Sequence, residues 1–378
     1  MLQLIGLFFC ETCRLLWTWD RADYITRLWM GSMRINVVMT KVFQAVAVRY
    51  LGRSLEVNID HVPYTDDEID IPQVEGVTVG KVIGSGMVAV VFEGTSEVGQ
   101  VVLKVKRRNI ERRIEEGLRD AERILALMHC CPGMGVLGLD TVHDEVKELL
   151  LGQLDFVQEA ANQIDFKDML EGNESIVVPS VYEDWCTEDM IVMEKLVGTR
   201  HPTHRKESAN AIASAIGASV VEGLLHADLH VGNVIFMEEK VGVLDFGLML
   251  RLSPTELEAY TGIFTACILK NYNKAAELAM TNYMQPSDVL SKLPEDTRLK
   301  LVTDMANLYE NAQQVNKSFG VPEVLGLASL VRPHGLTIAP IFYKTMMSMA
   351  AGDLLMKDLT ANPLDLILAH VAVKLMTN

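Results

Sequence analysis

The chain has few of the sequence features that mark nucleic-acid-binding, membrane-spanning or disulfide-rich proteins. It carries 34 Lys and Arg residues against 50 Asp and Glu, a formal net charge of −16, which argues against a protein that binds the backbone of nucleic acids. No stretch reaches the roughly 18–20 consecutive apolar residues that a membrane helix needs. Its six cysteines lack the regular spacing of a disulfide framework, so we expect a reducing compartment. The neighbouring Cys130 and Cys131 are poor tetrahedral partners, which also disfavours a zinc site.

The start of the chain is apolar but does not have the layout of a secretory signal. Residues 1–10 carry no charge, yet no charged region precedes them and no small-residue cleavage site follows. Up to about residue 58, apolar positions recur at helical spacing with Arg and Asp between them. We therefore expect an intracellular protein, soluble or held peripherally at a membrane by this helical stretch.

The stretch from His226 to Gly247 reads as a loop, a strand, a turn, a second strand and a loop. Its two short β-branched runs are separated by a polar tip, which is the pattern of a hairpin. Asp228 and Asn233 precede the hairpin, and Asp245 follows it. Because a hairpin brings its two ends together, we expect these three side chains to converge.

The chemistry of this trio suits magnesium and a phosphate ligand. Carboxylates and an amide carbonyl are the hard oxygen ligands that Mg²⁺ prefers. The order His-x-Asp-x₄-Asn followed by Asp-Phe-Gly is that of the catalytic loop and the metal loop of protein-kinase-like folds. We therefore expect ATP and Mg²⁺ as cofactors, with Asp228 catalytic and with Asn233 and Asp245 holding the metal. The alternative is a hairpin with incidental charges, and both motifs in order across one hairpin count against it.

Three runs that alternate apolar and polar residues begin at Val74 and predict an antiparallel meander. The first turn resembles a kinase glycine-rich loop, in which glycine lets the backbone approach phosphates closely. Lys104 lies at the centre of the third run, where we expect it to contact the α- and β-phosphates. The alternative for Lys104 is a strand-edge residue that reaches solvent. The residues assigned to the loop are Gly84, Ser85, Gly86, Ala89 and Val91.

Two helices are predicted after the meander. The first, from residue 109 to 129, is rich in Glu and Arg pairs spaced four apart and is interpreted as having a solvated face. The second carries Asp155, Glu159 and Asn162 at positions i, i+4 and i+7, on one face. Glu159 is the predicted partner of Lys104, a pair that an active kinase site needs. A kinase usually reaches this Glu about one helix after the Lys, so the separation of 55 positions between them indicates an insertion.

A predicted strand at residues 176–182 and another at 190–194 lead into a hinge. The backbone of this hinge is expected to bond the adenine edge of a nucleotide, with Met193 behind the base. Glu194 and Leu196 are assigned to the same contact.

The rest of the chain is predicted to be mostly helical. An Ala-rich helix from Ser208 to Leu225 leads into the catalytic loop. After the metal loop, Ser253 is a predicted N-cap that forms a capping box with Glu256. This helix starts so soon that no long activation segment precedes it. The predicted fold is α+β, two-lobed and protein-kinase-like, with a small antiparallel-sheet lobe and a helical large lobe.

Three segments resemble the UbiB family of atypical kinases, also described as aarF-domain-containing or ADCK-like. Lys41-Val-Phe-Gln44 resembles a Lys-x-Gly-Gln signature of an N-terminal helical extension. The helix from Gln153 to Asn162 resembles a Glu-x-Asp…Glu-Ala-x-Asn helix. The loop from His226 to Asn233 resembles a His-Ala-Asp-x-His-Pro-Gly-Asn loop.

The resemblance implies a division into three parts. Residues 1–73 form the N-terminal helical extension, residues 74–198 the small lobe with a helical insertion at about 107–170, and residues 199–378 the large lobe. It also implies that Lys41 and Gln44 reach the site from the extension, near Asp155.

The function implied is binding of Mg-ATP with ATP hydrolysis or phosphoryl transfer, linked to ubiquinone and related isoprenoid lipids. A lipid or quinone-precursor ligand would be the further partner. The chain departs from the family pattern at Phe43, Gln153 and Val231, and its Gly84-Ser-Gly86 turn is closer to ordinary kinases. Two alternatives therefore stay open: a protein or small-molecule kinase of the aminoglycoside-phosphotransferase type, and a nucleotide-binding pseudokinase module.

Overall fold

The computed structural model describes residues 68–129, 150–315 and 321–377, with isolated positions before and between them. Lys41 and Gln44 lie outside the described residues, so their predicted role is untested. Two compact units divide the described chain. The sheet unit comprises the described residues up to Gln158 together with Tyr182–Met193, and the helical unit comprises Glu159–Val181 together with the described residues from Glu194 onward.

The sheet unit contains the predicted meander. Strands β1 (Val77–Ser85), β2 (Ala89–Ser96) and β3 (Gly99–Lys106) form an antiparallel meander in which each strand pairs with the next. Strand β5 (Met190–Glu194) lies beside β3 and forms the edge of this four-stranded sheet. Alternation decides which side chains are buried: Val101, Leu103 and Val105 of β3 enter the core, and Lys104 and Lys106 point to the opposite face. The elements of this unit are β1 (Val77–Ser85), β2 (Ala89–Ser96), β3 (Gly99–Lys106), α1 (Ile110–His129) and β5 (Met190–Glu194), whose last residue belongs to the helical unit.

Helix α2 begins in the sheet unit and continues into the helical unit, where small two- and three-stranded sheets accompany the helices. Strand β8 (Val241–Val243) pairs antiparallel with β7 (Val234–Phe236) and parallel with β4 (Ile176–Val177). Strand β6 (Leu224–His226) pairs antiparallel with β9 (Met249–Arg251). The elements, in chain order, are α2 (Phe156–Met169), β4 (Ile176–Val177), α3 (Arg205–Glu222), β6 (Leu224–His226), β7 (Val234–Phe236), β8 (Val241–Val243), β9 (Met249–Arg251), α4 (Pro254–Ile268), α5 (Tyr272–Tyr283), β10 (Met284–Gln285), α6 (Ser287–Ser291), α7 (Glu295–Gln314), α8 (Val321–Val331), β11 (Thr337–Ile338), α9 (Pro340–Lys357) and α10 (Pro363–Thr377).

Local sequence signals account for several element ends. The predicted capping box is confirmed, since the Ser253 side chain accepts from the Glu256 N–H and the Glu256 side chain accepts from the Ser253 N–H. The predicted strand over residues 176–182 is wrong in length, because only Ile176 and Val177 pair with β8. Pro179 follows closely and has no N–H to donate to a sheet ladder. The α+β class is confirmed, and none of the described helices is long and apolar enough to cross a membrane.

Gly198 marks a close approach of two backbones in the helical unit. Thr199 and Phe236 exchange N–H to carbonyl hydrogen bonds of 2.9 and 2.8 Å. A Cβ added at Gly198 would lie 2.5 Å from both Ile235 Cγ2 and the Phe236 carbonyl oxygen. The strand that leads away from Asn233 therefore packs against a backbone with no room for a side chain.

Gly198→Ala is accordingly expected to lower the free energy of unfolding by about 1–3 kcal/mol, because the added methyl group forces the two backbones apart. Denaturant titration measures the loss. Gly152→Ala is the matched control, since a Cβ there would meet nothing within 4 Å. Equal stabilities of the two variants would contradict the close approach.

Candidate active site

Backbone hydrogen bonds join the two loops at the end of the β7–β8 hairpin. The Leu244 N–H donates to the Asn233 carbonyl at 2.8 Å, and the Ala227 N–H donates to the Leu248 carbonyl at 3.0 Å. Asp228 directly follows Ala227, and Asp245 directly follows Leu244. The structure therefore brings the loop of Asp228 and Asn233 against the loop of Asp245, as the hairpin pattern predicted.

Asp228 is half-buried, and its backbone is held on both sides. The Asn233 side-chain amide donates from Nδ2 to the Asp228 carbonyl at 2.9 Å, and the Asp228 N–H donates to His226 Nδ1 at 3.3 Å. His230 Nε2 lies 3.7 Å from Asp228 Oδ1. The two backbone bonds fix the loop through main-chain atoms of Asp228. Since Nδ2 of Asn233 is turned to the loop, its amide oxygen is the atom with which it would bind a cation.

Asp245 adopts a left-handed backbone conformation with φ of 59°. Asp is one of the few side chains that tolerate this region. Its Oδ1 accepts a hydrogen bond of 3.2 Å from the Gly247 N–H. The residue with this uncommon backbone conformation is the predicted metal ligand. Backbone outliers of this kind cluster at functional sites.

Helix α2 places Glu159 next to the metal loop. Glu159 is 1% exposed, and a Cβ built on Gly247 would lie 3.3 Å from both Glu159 Oε2 and Asp245 Oδ1. On the same face of the helix, Asn162 Nδ2 donates to the Phe246 carbonyl at 3.1 Å. Glu159 and Asn162 therefore share one face, as predicted. A buried carboxylate needs positive charge or hydrogen bonds to compensate its lost hydration; the pairing of Glu159 with Lys104 stays a prediction.

Asp155 lies one residue before helix α2, so the prediction that it lies within this helix is wrong. Helix α2 begins at Phe156, and Asp155 Oδ1 accepts from the Gln158 N–H at 2.8 Å. The short Asp side chain satisfies an N–H that has no partner within the first turn, which is why Asp is favoured at this position. Its gating role stays a prediction.

His226 is a buried member of the site that the sequence did not single out. It is 4% exposed, and its ring lies 5.5 Å from that of Phe246 and 6.0 Å from that of Phe166. Burial lowers the pKa of His226, although the nearby Asp228 and Asp245 carboxylates act in the opposite direction. The imidazole is therefore neutral at neutral pH. Only its position in the His-x-Asp motif could have signalled this.

This burial makes the stability of the protein depend on pH. Below about pH 6.5 the unfolded imidazole takes up a proton that the folded one resists, so the free energy of unfolding falls as the pH falls. The slope from one such proton is at most about 1.4 kcal/mol per pH unit. We expect His226→Gln to flatten the slope between about pH 7.5 and 5.5, as measured by urea unfolding. Identical slopes for wild type and variant would contradict a buried, neutral His226.

Arg200 supports the catalytic loop in a way that no sequence signal indicated. Its Nη1 donates to the carbonyls of Gly232 at 2.6 Å and Val234 at 2.9 Å. These carbonyls flank Asn233. The guanidinium thus stabilises the short turn that contains Asn233. Arg200 is more than thirty residues away along the chain, and no sequence pattern links the two.

The sheet unit presents the predicted glycine-rich turn. The Gly86 N–H donates to the Ala89 carbonyl at 2.9 Å, which closes a tight turn between β1 and β2. Val91 lies opposite Lys104 in the register of β2 and β3. Lys104 Nζ lies 5.5 Å from the centre of the Phe156 ring, at the first residue of α2. Lys104 is therefore half-buried against the start of α2 rather than a solvent-exposed strand residue.

The structure also describes the predicted hinge residues. Met193 is 7% exposed and buried in the sheet unit. In the helical unit, Glu194 Oε2 accepts from both the N–H and the hydroxyl of Ser180, each at 3.2 Å. Leu196 packs on Gly242, where an added Cβ would lie 2.6 Å from Leu196 Cδ1. Contact of these residues with adenine stays a prediction.

The fold and the site together define a protein-kinase-like protein, because a catalytic loop and a metal loop share one hairpin and a sheet carries a glycine-rich turn and a lysine. The ABC1 atypical kinase-like domain matches residues 80–279, more than half of the chain. The chain therefore belongs to the ABC1 atypical kinase-like family. The resemblance to UbiB proteins and the kinase-like fold are thereby confirmed.

Curated relatives and a solved structure show the extent of the similarity. The probable protein kinase UbiB of Serratia proteamaculans is 30% identical over 206 residues, covering 50% of this chain and 38% of that protein. The corresponding protein of Sodalis glossinidius is 28% identical over 224 residues, covering 54% and 41%. A solved chain of the Rv3197–erythromycin complex from Mycobacterium tuberculosis has a TM-score of 0.45 at 18% identity, covering 78% of this chain and 74% of that one. The chain thus spans well under half the length of these curated relatives.

Proposed function

We propose that this chain is an atypical kinase-like enzyme that binds Mg-ATP and catalyses ATP hydrolysis or phosphoryl transfer. The observation that carries the proposal is the junction of Asp228, Asn233 and Asp245 at one end of a hairpin, beside the buried Glu159. Kinase-like chemistry needs little covalent participation from the protein, so positioning and electrostatics supply most of the catalysis. A set of fixed oxygen donors on a rigid hairpin is suited to that task.

The donor set fits magnesium. Asp245 would hold the ion through its carboxylate and Asn233 through its amide oxygen, both hard ligands. When bound, Mg²⁺ would neutralise and orient the phosphate oxygens of the nucleotide. The left-handed backbone of Asp245 and the Arg200 brace around Asn233 hold these ligands in place before any ion arrives.

Asp228 would position the attacking hydroxyl or water and accept its proton. Its loop is fixed through backbone bonds to Asn233 and His226, which hold Asp228 in place at the end of the hairpin. The neutral imidazole of His226 accepts from the Asp228 N–H through Nδ1 and so serves the loop as a hydrogen-bond acceptor.

Lys104 and the glycine-rich turn would contact the phosphates from the sheet unit. Lys104 lies on β3 opposite Val91 of β2, the strand that begins directly after the turn. An ammonium group there would counter phosphate charge. The resemblance to UbiB proteins supports an isoprenoid lipid or quinone precursor as the further ligand, with peripheral membrane contact to reach it.

Nucleotide turnover by Lys104→Ala tests the proposal. We expect phosphate release from ATP in the presence of Mg²⁺ to fall roughly 100-fold or more, because phosphate charge loses its fixed counter-charge. Lys81→Ala is the control, since Lys81 is on the same sheet and its side chain is 78% exposed. Equal turnover by wild type and Lys104→Ala would refute the assignment.

The same assay separates the three candidate activities. Stimulation of phosphate release by quinone-precursor lipids would support an ATPase of lipid metabolism. Transfer of labelled phosphate to a protein or small molecule would indicate a kinase instead. Thermal stabilisation by nucleotide without any turnover would indicate a binding module, since ligand binding to the native state raises stability by mass action.

A further inference from the structure

A buried arginine fastens the glycine-rich turn of the sheet unit to the end of β3. Arg107 follows the last residue of β3, and its side chain is 1% exposed. Its Nη2 donates to the Ser85 hydroxyl at 2.7 Å, and its Nε donates to the Gly86 carbonyl at 3.1 Å. The Arg107 N–H also donates to the Val88 carbonyl at 2.8 Å. Arg107 thus bonds to three residues of the turn: Ser85, Gly86 and Val88.

An acidic residue holds the guanidinium in position. Glu68 Oε2 accepts from Arg107 Nη1 at 2.6 Å, and Glu68 Oε1 accepts from Arg113 Nη1 at 2.8 Å. The Glu68 carbonyl accepts in addition from the Arg108 N–H at 2.8 Å. Removing a guanidinium from water is costly unless its donors are bonded and its charge is paired. Both conditions are met here, so the geometry of Arg107 is defined from two sides.

This arrangement changes what Ser85 offers to a ligand. Ser85 is 3% exposed and its hydroxyl is engaged by Arg107. The Ser85 hydroxyl is therefore already engaged within the sheet unit, and backbone groups are the ones that approach phosphates in glycine-rich loops. An arginine fork suits this task because it donates in two fixed directions at once, which a lysine ammonium does not.

We propose that Arg107 is a positioning residue of the nucleotide site, holding the Ser85–Gly86 turn in the shape that binds the phosphates of a nucleoside triphosphate, with Glu68 fixing Arg107. The inference rests on the proposed nucleotide function. It adds a role for a residue that acts on the ligand only through the turn. The segment that contains Glu68 thereby becomes part of the support of the turn.

The test compares Arg107→Lys, Ser85→Ala and the double variant in the full chain, with Arg108→Lys as the matched control. Arg108 is the next residue in the chain, and its exposed side chain pairs with Asp70. We expect Arg107→Lys to weaken binding of ATP about tenfold and to speed hydrogen exchange of the Gly86 amide about tenfold, since charged hydrogen bonds to the turn are lost. Arg108→Lys should change neither. Because the Arg107 side chain bonds the Ser85 hydroxyl, part of its effect passes through Ser85, and the loss of ATP affinity in the double variant should be smaller than the sum of the two single losses.

Three outcomes are decisive. A lower melting temperature for Arg107→Lys with unchanged ATP affinity and unchanged exchange at Gly86 would overturn the proposal, because a merely structural role predicts that result. Additive losses in the double variant would overturn the route through Ser85. If the wild type binds no ATP, the proposed function fails, and the exchange comparison still decides whether Arg107 holds the turn.

Discussion

Asp245→Asn is expected to reduce Mg²⁺-dependent nucleotide turnover roughly 100- to 1,000-fold while the protein stays folded. Asn tolerates the left-handed conformation that Asp245 adopts. Its side-chain oxygen can still accept from the Gly247 N–H, so the metal loop keeps its shape. What the substitution removes is the negative charge that would hold the ion. Phosphate release at saturating ATP, measured over a range of Mg²⁺ concentrations, gives the loss.

A control variant tests whether loss of any negative charge in this unit lowers turnover, or only loss of the charge at the site. Asp165→Asn makes the same change on an exposed carboxylate of the same unit, which is paired with Arg251. It should leave turnover within about twofold of wild type, because exposed ion pairs contribute little. Full activity of Asp245→Asn at low Mg²⁺ would show that Asp245 does not hold the metal.

Asp228→Asn is expected to lower turnover roughly 100- to 10,000-fold and to leave ATP affinity within about twofold. Backbone atoms of Asp228 bond to Asn233 and His226, and the substitution keeps both of these bonds. Loss of the carboxylate therefore removes the acceptor for the nucleophile's proton without releasing the loop. Single-turnover kinetics and equilibrium binding measure the two effects separately.

The control for this variant is Glu238→Gln, on the exposed tip of the same hairpin. It removes one negative charge from the same hairpin, away from the loops that it joins, and should leave both quantities unchanged. A parallel fall of affinity and turnover in Asp228→Asn would assign this residue to nucleotide binding and contradict its role in positioning the nucleophile.

Much of the site could be predicted because its signals are local. The spacing of Asp228, Asn233 and Asp245 around one hairpin fixed their convergence, since a hairpin has few alternatives. The capping box at Ser253 and the alternation of β3 are equally short-range. In each case one local element, a hairpin, a first helical turn or a single strand, limits the outcomes.

The features that were missed or wrongly placed have a different physical origin. Arg107 and Arg200 act by donating to backbone carbonyls that lie 21 and 32 residues away, and a carbonyl carries no sequence signature. Asp155 was misplaced because helical spacing continues past the true start of α2, and only the capping bond to Gln158 marks the boundary. Periodicity shows which residues share a face, but it does not show where the helix begins.

The paired bonds at the two ends of the metal loop have a consequence for how this site can open. The Leu244 N–H is bonded to Asn233 before the loop, and the Leu248 carbonyl is bonded to Ala227 after it. Strand β9 then continues along β6, up to the capped start of α4. The stretch around Asp245 cannot swing out without breaking the ladder that also holds Asp228. We therefore expect the two carboxylates to move together when this site opens locally, as parts of one cooperative unit.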